Sequence, residues 1–148
     1  MTAAPTTDSA VTKDVLATGA SVGLARSLVS SFLHARGISG IIDAASVIVT
    51  ELVTNAVKIS REPASTVRIH LSVRGTDLWI GVLDLAEGSP VNRLPVATLD
   101  EIDASRSEVF GGWGLMLVQA YADRFWIEPT SEGKGKWVCA AIIVRSSA

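Results

Sequence analysis

The apolar positions of this chain follow two rhythms. Val22, Ala25, Leu28, Val29 and Phe32 recur every three or four residues, the repeat of one helix face. They predict an amphipathic helix over about 22–35, opened by Ser21 as N-cap and stopped by Gly37. Arg26 and His34 fall on its polar side, where a lone histidine is a solvated surface residue more often than a ligand. A second helix opens at Ser39 or Asp43 and runs to about Ile59. Arg61-Glu62-Pro63 ends it, because proline cannot continue the hydrogen-bond ladder.

The other rhythm has a period of two. Val67, Ile69, Leu71 and Val73 alternate with Arg68, His70, Ser72 and Arg74, which predicts a half-buried strand with one wet face. Gly75-Thr76-Asp77 has turn chemistry, and Leu78 to Leu83 makes the return strand, so 67–83 reads as a β-hairpin. Two further strands are expected over 125–128 and 137–144, with a turn at Gly133-Lys134-Gly135. A short strand is expected over 11–17. Residues 1 to about 12, rich in Ala, Thr and Ser, read as a flexible tail before a single domain over 13–148.

The second helix holds the first candidate chemistry. Val47, Ile48, Val49, Leu52, Val53, Ala56 and Val57 point in most directions around it, the pattern of a buried helix. Among them stand Glu51 and Asn55, four residues apart, on one helix face at roughly 5–6 Å between Cβ atoms. An unpaired carboxylate is costly to bury. Two readings stand at this point. The pair caps or cross-links a neighbouring element, or its oxygens serve a hard cation such as magnesium while the carboxylate orients or deprotonates an attacking group.

Composition narrows the field. At 148 residues the chain is long enough for one domain with a real core. A net charge of −2 gives no electrostatic footprint for nucleic acid. The single cysteine, Cys139, excludes an internal disulfide and fits a reducing compartment. No apolar run reaches the length of a membrane span, and no basic stretch followed by an apolar core marks a signal peptide. The expectation is a cytoplasmic protein that binds neither membrane nor nucleic acid.

Two more stretches draw attention. Asp84 follows the apolar strand and leads into Glu87-Gly88-Ser89-Pro90; a lone aspartate there is a turn carboxylate or a site residue. Residues 89–109 lack periodicity and form a connection of the length seen in lids and binding loops. Then Gly111, Gly112 and Gly114 precede a helical run carrying Leu115, Val118, Gln119 and Ala122 in phase. Glycines at a helix start leave backbone N–H groups open to an anion such as phosphate. The same glycines also suit a plain N-terminal turn. Trp113, Trp126 and Trp137 are as well suited to a core as to a ligand platform.

The order of these pieces is more specific than any one of them. Glu51-Leu-Val-Thr-Asn55-Ala on a helix, Asp84 closing a strand, a long loop, then Gly112-Trp-Gly114-Leu before a helix resembles a known domain. It is the Bergerat-type ATP-binding domain of histidine kinases, type II topoisomerases, mismatch-repair proteins and the heat-shock chaperone. Within it, the chain resembles the small anti-sigma-factor serine/threonine-protein kinases of Gram-positive bacteria. Those also carry the later Ala122-Asp123-Arg124 and Gly133-Lys134…Trp137 in this order. The resemblance spans about residues 15 to 145.

It implies an α+β two-layer sandwich, with a mixed, mostly antiparallel sheet and helices on one face. It implies ATP and Mg2+ as cofactors. Asn55 would hold magnesium, and Glu51 would be the catalytic base for a serine hydroxyl or water. Asp84 would accept a hydrogen bond from the adenine amino group. Gly112 and Gly114 would present backbone N–H groups to phosphate, with Ile59, Gly88 and Leu115 also lining the nucleotide and 89–110 as lid. The implied partners are a sigma factor and a STAS-type anti-anti-sigma protein, with a homodimer as a further family habit.

The sequence departs from the family in four places. Lys58-Ile59-Ser60 stands where a histidine or similar polar residue is frequent, and the glycine after Asp84 is delayed to Gly88. Trp113 replaces a frequent long side chain such as arginine, and Gly135 stands where threonine often follows the late Gly-Lys. The alternative function is a docking regulator of transcription, non-catalytic or nucleotide-free.

Overall fold

The computed structural model describes residues 9–59, 65–84, 113–130 and 135–144. The elements in chain order are β1 (Ser9–Leu16), α1 (Ala20–Ala35), α2 (Ile42–Ile59), β2 (Thr66–Arg74), β3 (Asp77–Asp84), α3 (Trp113–Tyr121), β4 (Arg124–Pro129) and β5 (Lys136–Ile143). The strands form one five-stranded sheet in the order β1-β2-β3-β5-β4. Every pairing among them is antiparallel. The helices pack as a second layer, α2 lying between α1 and α3 and over the central strand β3.

The period-two pattern builds the sheet's inner face. Val67, Ile69 and Leu71 of β2 and Leu78, Ile80 and Val82 of β3 are buried beside Ala140 and Ile142 of β5. The helical pattern supplies the opposing layer: Ala25, Val29, Phe32 and Leu33 of α1, and Ile48, Val49, Leu52, Val53 and Ala56 of α2. Each of the larger side chains contributes about 1.5–3 kcal/mol by leaving water.

The other sheet face has no helix layer among the described residues. It carries tryptophans between arginines. Trp79 and Trp126 meet edge to face with centroids 5.1 Å apart. The Arg74 guanidinium lies 4.2 Å from the Trp79 ring centre. Trp137 meets His70 at 6.4 Å. A Cβ on Gly81 would come within 3.2 Å of the Trp137 ring, so the glycine makes room for it. Trp126 and Trp137 therefore lie outside the helix-covered core.

Three expectations are corrected. Ser21 does not cap α1: the N-cap is Gly19, with no side-chain cap, and the Ser21 hydroxyl donates back to the Thr18 carbonyl from inside the first turn. Strand β1 begins at Ser9, within the expected tail, because its residues pair with β2 from Ser9↔Val73 onward. And α2 is not apolar all round. Its buried stripe is Ala45, Ile48, Val49, Leu52, Val53 and Ala56, while Val47 and Val57 are half-buried.

The connections fix which way each element runs. Ala17, just after β1, donates to the Ser65 carbonyl just before β2, so α1 starts at the end of the sheet where β2 starts. α1 runs away from that end, and α2 returns to it, since β2 follows closely. β3 finishes there with Asp84 opposite Val67, and β5 begins there with Lys136 opposite Asp84 and Pro129. α3 leads into the opposite end, where β4 starts at Arg124. Its N-terminus is therefore the end directed toward Asp84 and Lys136.

Candidate functional site

Topology gathers four features at one end of the sheet: the C-terminal half of α2, the last residue of β3, the first residue of β5 and the N-terminus of α3. Three elements of this set, α2, β3 and α3, carry residues singled out by sequence. Glu51 and Asn55 lie along the border of the buried stripe of α2, both half-buried. Among the described residues neither side chain makes a hydrogen bond or ion pair, so the cross-linking reading finds no partner. The helix holds them there because Leu52, Val53 and Ala56 on the adjoining face are locked in the core.

Asp84 closes β3 in register with Lys136, and Ile59 is the last residue of α2. Gly114 and Leu115 lie in the first turn of α3. The side chains of Ile59, Asp84 and Leu115 lie outside the described residues, as do Gly88, Gly112, the expected lid over 89–110 and the Gly133-Lys134 turn. The α3 N-terminus has a dipole favourable to an anion.

Sequence reasoning passed over Lys136. It is 1 % exposed, the largest of the fully buried side chains, and it heads the inward row of β5. The signal was available: a lysine as first residue of an apolar strand, in phase with Val138, Ala140 and Ile142.

Other chemistry is excluded on the described residues. No cluster of three or more His, Cys, Asp or Glu could hold a metal among them. Cys139 is buried, and burial, followed by the nearby Glu128 carboxylate, pushes its thiol up to about 12. That thiol is not a nucleophile at neutral pH. Among the described residues no helix is long and apolar enough to cross a membrane.

Comparison with known proteins decides the family. The model of the histidine kinase-like ATPase domain matches residues 15–142. The chain belongs to this family. A comparison with curated proteins finds no match. Among solved structures, the RsbU and RsbW domains of Rv1364c from Mycobacterium tuberculosis are similar at a TM-score of 0.66 and 17% identity. The likeness covers 99% of this chain and 35% of that one, so this ATPase domain spans about a third of its structural relative. The shared fold is the two-layer sandwich expected from the sequence.

The family implies a nucleotide, and the residues of this histidine kinase-like domain fit one. Half-buried oxygen ligands without partners among the described residues suit a hard cation that keeps most of its waters and takes few protein ligands. The N-terminus of α3 at the same end suits phosphate by its dipole.

Proposed function

We propose that this chain is a magnesium- and ATP-dependent protein serine kinase that phosphorylates an anti-anti-sigma partner and also holds a sigma factor. The observation that carries the reading is the gathering of Glu51, Asn55, Asp84 and the α3 N-terminus at one end of the sheet. The family membership and the fold likeness to a structure containing an RsbW domain support it.

In this reading Asn55 holds magnesium, whose charge neutralises the phosphates. Asp84 accepts a hydrogen bond from the adenine amino group, and Ile59, Gly88 and Leu115 line the base and ribose. Backbone N–H groups at Gly112 and Gly114 meet the phosphates. Glu51 takes the proton from the attacking serine hydroxyl as its oxygen bonds to the γ-phosphorus and the bond to the bridging oxygen breaks, leaving ADP. Phosphoryl transfer asks the protein mainly for positioning and charge stabilisation, which these groups supply.

The test is transfer of labelled γ-phosphate to candidate anti-anti-sigma proteins. Transfer by the natural chain that disappears in Glu51→Ala supports the reading. Nucleotide binding without transfer to any candidate sinks the kinase activity and leaves a docking regulator.

A further inference from the structure

We draw no further inference here: the strongest candidate, the tryptophan-and-arginine face of the sheet opposite the helices, has its guanidinium groups engaged by its own rings and carboxylates, and nothing in the structure shows what covers it.

Discussion

At the hairpin end of the sheet, polar groups close the chain on itself; toward the opposite end, Glu51 and Asn55 make no such bonds among the described residues. The hairpin end turns at Gly75, φ 61°, and Val144 donates to the Thr76 carbonyl at 2.6 Å. Asp123 receives the Ile143 N–H at 2.7 Å and donates its own backbone N–H to Ala141 at 2.8 Å. The α1 terminus at the same end has Gly37 at φ 69° and an Arg36 guanidinium donating to the Phe32 carbonyl at 2.7 Å. At the other end Glu51 and Asn55 sit half-buried on a rigid helix with no side-chain partner among the described residues. The difference separates polar groups bonded within the fold from polar groups that make no such bond among the described residues.

That contrast can be broken by substitution. Glu51→Ala should lower phosphoryl transfer by about 10²–10⁴-fold, the usual worth of a positioned base. It should leave thermal unfolding close to that of the natural chain; a large loss of stability would move Glu51 into the fold-holding class. Leu52→Ala, one residue on, should do the reverse. Leu52 is 2 % exposed within the core. Its truncation should cost about 2–5 kcal/mol in denaturant unfolding.

Gly75→Ala is a smaller effect at the closing end. The left-handed backbone there should cost a side chain about 1–2 kcal/mol, with nucleotide binding unchanged. Smallest is the exposed pair on the open face. Arg68 donates to Asp14 at 2.7 Å, and that hydrogen bond holds the Asp14 carboxyl below its ordinary value of 3.8. A lowered carboxyl contributes stability above its unfolded-state value and loses it as pH falls through the folded one. Asp14→Asn should therefore cost less than about 1 kcal/mol near neutral pH, and the two proteins should begin to converge in unfolding as pH falls below 3.8, meeting only below the lower folded-state value.

Much of this contrast was legible in the sequence. Period-two alternation located the β2–β3 hairpin, and the helical repeat located α1 and α2, because one-sided burial imposes those periods directly. Glu51 and Asn55 stood out because they are polar among buried neighbours. What was missed depends on contacts distant in sequence, apart from the local cap of α1. Ser21 has the right chemistry for a cap, but the chain turned at Thr18-Gly19 instead. Ser9 and Ala10 look like tail until β2 offers them an edge to pair with. Lys136 reads as an ordinary charge beside a turn. Only the β3–β5 register places it opposite Asp84, and its burial is a property of the folded chain.

The central question is whether the α2 pair and its surroundings hold a nucleotide through a metal. The direct measurement is calorimetric titration of ATP with and without magnesium, on the natural chain and on Asn55→Ala. ATP should bind more tightly with magnesium, and that gain should vanish in Asn55→Ala while the variant unfolds like the natural chain. Equal binding with and without magnesium, or no binding at all, would contradict it.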